Sequence, residues 1–205
     1  MDVLGLVRKH FRSSKDNVQK EEAITSKFYD PLQQQIQIKL PLANTPKHTK
    51  PDHILTYGYD FDGNMTLRTA PESDTTKMVY DLLGQLRFSR TAEMGNQITY
   101  YKYDRWGRGI EKGIFSGTWN QTTLQQHAAD PSYPTSGTTV QTKYYYDGSE
   151  GTHIYLAPYR GQLTRTESYE NNAVYNTQTY YYDISGNLIR TDDKISETTY
   201  TTDYQ

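Results

Sequence analysis

A chain of 205 residues with 22 Lys and Arg against 24 Asp and Glu, a net charge of −2 and no cysteine is not built to bind nucleic acid by phosphate neutralisation. It cannot form disulfides or use a thiolate. No run of about 18 apolar residues occurs, so no membrane-spanning helix is expected. The bias lies elsewhere, in 20 Tyr and 27 Thr, with only 34% of residues hydrophobic. Both types favour strands and keep a polar atom to satisfy. A sheet covered by tyrosine rings is expected in place of a thick aliphatic core.

Residues 1–52 read as an N-terminal segment. Up to about residue 27 it is polar, helical or irregular, without a capped apolar stripe. Met1 to His10 places its positive charges after a short apolar stretch and carries no export signal. Ile36-Gln37-Ile38-Lys39-Leu40 alternates as a strand, and Ala43 to Pro51, with prolines at 46 and 51, reads as a linker.

Residues 53–205 carry an internal repeat, and such self-similarity decides architecture. Tyr-Asp occurs six times, beginning at Tyr29, Tyr59, Tyr80, Tyr103, Tyr146 and Tyr182. That is well above what 20 Tyr and 15 Asp placed at random would give. Tyr59-Asp60, Tyr80-Asp81, Tyr103-Asp104 and Tyr182-Asp183 are each followed at one offset by glycine (Gly63, Gly84, Gly107, Gly186) and then a polar residue. An aromatic or Met stands two residues before the Tyr at Tyr57, Met78, Tyr101, Tyr144 and Tyr180, and an apolar strand residue follows the turn at Met65, Leu86 and Leu188. Strand, tight turn, strand is the unit, with glycine supplying the positive φ the turn needs. Tyr146-Asp147 begins a fifth copy, and Gly161 resumes the pattern after an insertion near 148–160. A second insertion near 116–141 holds a short helical stretch around Leu124 to Ala129, stopped by Pro131.

The motif Tyr-Asp-x-x-Gly-[Asn/Gln/Arg]-Leu resembles the YD repeat, also called the RHS repeat, from about Ile54 onward. The resemblance implies an all-β fold of tandem antiparallel hairpins in a curved, twisted sheet. In long family members, such as polymorphic toxins, insecticidal toxin complexes and teneurins, this sheet winds into a secreted or surface shell. It implies a structural, non-catalytic role, enclosing or presenting a toxin or effector domain, with the rest of a longer polypeptide as partner. Phe28-Tyr29-Asp30-Pro31 is similar to part of the family's core segment but lacks the glycine. Some 11 strands at about 4.8 Å span on the order of 50 Å. That is too short to surround even a 100-residue cargo with a radius of gyration near 13 Å. An arc of wall, or a fragment of a longer product, is expected.

The repeat residues Tyr59, Asp60, Gly63, Tyr80, Asp81, Gly84, Tyr103, Asp104, Gly107, Tyr146, Asp147, Gly161, Tyr182, Asp183 and Gly186 are thus expected to serve the fold, because Asp bonds turn backbone. Aromatics of the insertions, Trp119, Tyr133, Tyr155 and Tyr159, are the candidates for contact with a glycan or a surface protein in an alternative, adhesive role. No cofactor is expected. Asp60-Phe61-Asp62-Gly63-Asn64 looks like a calcium loop, but its glycine is misplaced and no Glu closes it. The five histidines lack zinc-type spacing, and no nucleophile-elbow, P-loop, dinucleotide or metalloprotease motif occurs. Unpaired strands at the ends of the array predict self-association or fraying.

Overall fold

A computed structural model describes residues 26–39, 54–70, 73–148 and 160–204 of the chain. The expected helical lead-in up to residue 25, the linker at 43–51, and most of the second insertion, including Tyr155 and Tyr159, lie outside the described residues. The chain divides into two compact units between Gly95 and Asn96.

The first unit contains strands β1 (Ser26–Tyr29), β2 (Gln35–Lys39), β3 (Ile54–Tyr59), β4 (Met65–Ala70), β5 (Ser73–Tyr80) and β6 (Leu86–Thr91), followed by a single 3-10 turn at Ala92–Met94. Each strand pairs antiparallel with the next. Val79 and its cross-strand partner Phe88 are fully buried and form the centre of this unit.

The second unit contains β7 (Gln97–Tyr103), β8 (Gly109–Ser116), helix α1 (Gln121–Ala128), β9 (Thr138–Tyr146), β10 (Leu163–Glu170), β11 (Ala173–Tyr182), β12 (Leu188–Ile195) and β13 (Thr198–Asp203). These strands also pair antiparallel in chain order. The fold is therefore all-β, with one α-helix among the described residues.

Thirteen strands form among the described residues where about 11 were expected. One source of the difference is the hairpin β1–β2, whose turn begins at Tyr29-Asp30 and has Gln33 in the glycine position, at φ 63°. Lacking glycine, this copy is invisible to the motif. Its Asp30 nevertheless makes the same turn bonds as the others, donating its N–H to the Gln34 carbonyl (2.9 Å) and accepting from the Gln33 N–H (3.0 Å).

Each of the six Tyr-Asp hairpins carries a β-bulge at one place. Tyr59 pairs with Met65 but Gly58 pairs with Leu67, leaving Thr66 extra. Ile36, Arg87, Ile110, Thr164 and Ile189 are the extra residues in the others. A bulge locally raises strand twist, so every hairpin adds the same local twist just after its turn.

The second unit's core forms on one face of β7 and β8. Ile98 pairs with Phe115 and Tyr100 with Gly113, so these four share a face. Ile98 and Tyr100 are fully buried there. The first insertion covers this end. Asn120 caps α1 by accepting from the Thr123 N–H (3.0 Å), and Leu124 and Ala128, four residues apart, are buried on one helix face. Tyr133 joins helix to sheet, stacked on His127 at 3.9 Å and edge-on to Phe115 at 5.9 Å.

Candidate functional site

The repeated turns are where the chain concentrates its polar chemistry. At Asp60, the backbone N–H donates to the Asn64 carbonyl (2.9 Å), and the Asp60 carbonyl accepts from the Gly63 N–H (3.2 Å). One carboxylate oxygen accepts from the N–H groups of Asp62 (3.0 Å) and Asn64 (2.8 Å), and the other from the Asn64 side-chain amide (3.0 Å). Asp183 repeats all of this with Ser185, Gly186 and Asn187. Asp104 does so with Trp106, Gly107 and Arg108, whose guanidinium Nε takes the place of the amide (2.7 Å). Asp81 binds the N–H groups of Leu83 and Gln85. The side chain after the glycine is thus the second half of the carboxylate cap at Asn64, Arg108 and Asn187.

Gly63, Gly84, Gly107 and Gly186 lie at φ 87°, 74°, 82° and 84°, in the left-handed region where a side chain strains the backbone. Gly63, Gly84 and Gly186 also face the neighbouring turn. A Cβ on Gly63 would stand 3.1 Å from Gln34 Nε2, and one on Gly186 3.3 Å from Gln162 Nε2. The Gln162 amide in fact donates to the Gly186 carbonyl (3.3 Å).

The tyrosines act between repeats. The Tyr59 hydroxyl donates to the carbonyl of Gln35 (3.0 Å), Tyr146 to Gly109 (3.0 Å) and Tyr182 to Leu163 (2.7 Å). In each case the acceptor is the first strand residue after the preceding hairpin's turn. The Tyr80 hydroxyl instead approaches Met78 Sδ at 3.6 Å. Burial raises the hydroxyl pKa of Tyr59, Tyr80, Tyr146 and Tyr182. At Tyr80 the charge of Asp60, in the preceding turn, adds to the effect. Within each dipeptide, then, Asp closes its own turn, and Tyr59, Tyr146 and Tyr182 hold the previous repeat.

The fifth turn is closed across its insertion. The Asp147 N–H donates to the Gln162 carbonyl (3.1 Å), and the Asp147 carboxylate accepts from the Gly161 N–H (2.6 Å). Arg108 ties this turn to the fourth. Its guanidinium bonds both Asp104 (2.7 Å) and Asp147 (2.8 Å) and lies over the rings of Tyr146 (4.3 Å) and Trp106 (4.8 Å).

The Arg108 side chain lowers the pKa of Asp147 despite burial. At Asp104 burial raises the carboxyl, but bonds from the Arg108 backbone and side chain and the Trp106 N–H leave it below its ordinary value. At Asp183 the Asn187 amide and N–H lower it. A carboxyl depressed in the folded state contributes stability that is complete above its unfolded value, near 3.9, and is lost as pH falls through the folded value. Thermal unfolding followed from pH 7 to pH 2 should therefore show a midpoint that holds at neutral pH and falls below about pH 4. Asp104→Asn would set an amide N–H against an N–H of Trp106 or Arg108. It should cost about 1–3 kcal/mol at pH 7 and reduce the loss of stability in acid.

Beyond the turns, Lys102, Glu111, Lys143 and Glu167 form a directly paired cross-strand row of alternating charge over β7–β10. Glu167 accepts from both Tyr145 and Tyr169 at 2.7 Å.

Of the insertion aromatics, Tyr133 is packed between His127 and Phe115, and the Trp119 indole N–H donates to the Gln121 side chain (3.2 Å). Helix α1 lies between the two in the chain. Among the described residues, no group of three or more His, Asp or Glu is placed to hold a metal ion, and no helix is long and apolar enough to cross a membrane.

The sequence pattern pointed to the turns at which Asp and Gly stand. It missed the reach of Tyr into the preceding repeat, the Arg108 bridge and the Tyr29-Asp30 turn. The only available signal for the last was the dipeptide itself.

No family model and no curated protein matches the chain. Among solved structures it is similar to a crystal structure of TcdB2-TccC3-TEV, at 17% identity and a TM-score of 0.43, with 94% of this chain and 11% of that one covered. It is also similar to TcdB2-TccC3 without its hypervariable C-terminal region, at 16% identity and TM-score 0.44, covering 95% and 11%. A Photorhabdus luminescens Tc holotoxin pore aligns at 16% identity and TM-score 0.43, covering 93% and 11%. The chain spans about a ninth of the length of each of these toxin-complex chains.

Proposed function

We propose that this chain is a non-catalytic structural segment, a run of Tyr-Asp hairpins in the wall of a secreted or surface RHS-type shell that encloses or presents a toxin or effector domain. One observation carries the reading. A single turn geometry, with its carboxylate bonded inward to its own turn, recurs at Asp60, Asp81, Asp104 and Asp183. These regularly placed carboxylates are thereby committed to the backbone, and Tyr59, Tyr146 and Tyr182 to the neighbouring repeat. This is the arrangement a load-bearing sheet requires, and a substrate site would require the opposite.

The test is to express the entire natural open reading frame that contains these 205 residues and expose the intact product to protease. Under this reading, a domain encoded elsewhere in that frame resists digestion until the hairpin array is unfolded. Digestion of every other domain at the rate seen when it is isolated, with the array still folded, would contradict it.

A further inference from the structure

The turn tips of the first unit carry side chains that the turns themselves do not need. Asp30, Asp60 and Asp81 each open a turn whose carbonyl accepts from the N–H three residues on, at Gln33, Gly63 or Gly84, so the two residues between form the tip. Such positions favour Gly, Pro, Asn, Asp and Ser. Here they are Pro31-Leu32, Phe61-Asp62 and Leu82-Leu83, and the four large apolar side chains are each at least 75% exposed. A following repeat does not cover them, because strands pair side by side and leave the turns open. The hairpins tipped by Leu32 and Phe61 are each followed by another paired strand, and both tips remain exposed.

The three turns stand in one row. A Cβ on Gly63 would lie 3.1 Å from Gln34 of the first turn, and one on Gly84 3.6 Å from Asn64 of the second. Successive turns are two strand spacings apart, about 10 Å, so the apolar tips extend along about 20 Å. The same rim is acidic. Residues 29–34, 59–64 and 80–85 include Asp30, Asp60, Asp62 and Asp81 and no Lys or Arg, and the turn hydrogen bonds that Asp30, Asp60 and Asp81 accept come from neutral groups. The second unit also exposes tip residues, Trp106 and Ile184, but its Asp104 turn contains Arg105 and Arg108.

We infer that the turn rim of the first unit is a docking surface for a cationic amphipathic helix of a partner polypeptide. Single exposed apolar residues are ordinary on protein surfaces, whereas this row repeats at about the length of two helical turns, and a helix of about 14 residues spans all three tips. Its apolar stripe would lie on Leu32, Phe61, Leu82 and Leu83, and flanking Lys or Arg would meet the four carboxylates. A bilayer is the poorer match, because Asp62 stands beside Phe61 at the middle tip and an ionised carboxylate resists transfer into lipid.

The probes are two 14-residue peptides with leucine in an amphipathic helical pattern, the polar positions being all lysine in one and all glutamate in the other. Each is titrated into the full chain at low salt and followed by amide NMR and calorimetry. The lysine peptide should shift the amides of residues 29–34, 59–64 and 80–85 ahead of all others and bind less tightly as salt rises, and the glutamate peptide should bind at least about tenfold more weakly. Phe61→Ser and Leu82→Ser should each weaken the lysine peptide by about fivefold or more, whereas Ile184→Ser should leave its affinity unchanged. All three positions are exposed, and circular dichroism verifies that the variants fold. Absence of binding, shifts centred on another surface, equal affinity for the two peptides, or tip variants that bind as the parent does would each overturn the inference. So would binding to phosphatidylcholine vesicles that Phe61→Ser abolishes, which would assign the rim to lipid.

Discussion

Replacing Tyr100 by alanine should lower the unfolding free energy by about 3–5 kcal/mol, as large-to-small changes at fully buried aromatic sites do. Tyr100 has no exposed surface, lies 6.3 Å from the Phe115 ring and donates its hydroxyl to Glu111 (2.9 Å). Burial and the Glu111 carboxylate push its hydroxyl pKa far up. Glu111 in turn meets Lys102 at 3.3 Å. Alanine would therefore open a cavity beside Phe115 and also leave Glu111 with one partner fewer. Tyr100→Phe separates the two effects. It keeps the ring and removes the bond, and should cost about 1–2 kcal/mol in urea unfolding. Equal losses for the two variants would show that ring packing contributes little.

Gly113→Ala is the second large effect, and its origin is the same ring. Gly113 lies opposite Tyr100 in the ladder, and a Cβ there would stand 2.6 Å from the Thr139 carbonyl oxygen, 2.6 Å from the Tyr100 hydroxyl and 2.7 Å from its ring edge. The backbone oxygen cannot yield without disturbing the β8–β9 pairing. We expect a loss of about 2–3 kcal/mol, the upper part of the overpacking range. Thermal melts of Gly113→Ala, Tyr100→Ala and the double variant form a cycle. The double variant should lose less than the sum, because removing the ring relieves two of the three close approaches while the Thr139 contact remains. Strict additivity would mean that the ring and the glycine are independent.

These two residues also show what the sequence could and could not convey. The period-two spacing of Ile98 and Tyr100 is legible as a strand face, and Tyr-Asp-x-x-Gly is legible as a hairpin turn, because both are local and governed by backbone geometry. Gly113 carries no such signal. Its reason is a ring on the neighbouring strand, fixed by a register that the bulge at Ile110 offsets by one residue. The same bulge in each Tyr-Asp hairpin is hidden because it is defined by pairing: five of its six extra residues, Ile36, Thr66, Ile110, Thr164 and Ile189, are β-branched and Arg87 is not, a preference that strands show in general. Asp30 was read without a turn because Gln33, and no glycine, accepts the positive φ. Tyr133, a candidate for contact with a glycan or a surface protein, stacks on His127 of α1 and meets Phe115 edge-on. A loop aromatic and a core aromatic look alike in sequence when the loop itself forms part of the core.

The central claim is that the repeated dipeptide holds the array together, Asp within its turn and Tyr to the turn before. Residue-resolved amide hydrogen exchange on Tyr146→Phe and Tyr182→Phe, compared with the unaltered chain, tests it most directly. Each variant loses one hydroxyl, donated to Gly109 or Leu163 respectively, and keeps its ring. If the claim holds, protection falls by about five- to tenfold, corresponding to a bond of about 1 kcal/mol. The fall should be centred on the hairpin bearing the variant and the one before it, with distant hairpins little changed. Unchanged protection in both variants would contradict the account, leaving the tyrosine hydroxyls without a part in holding successive repeats together.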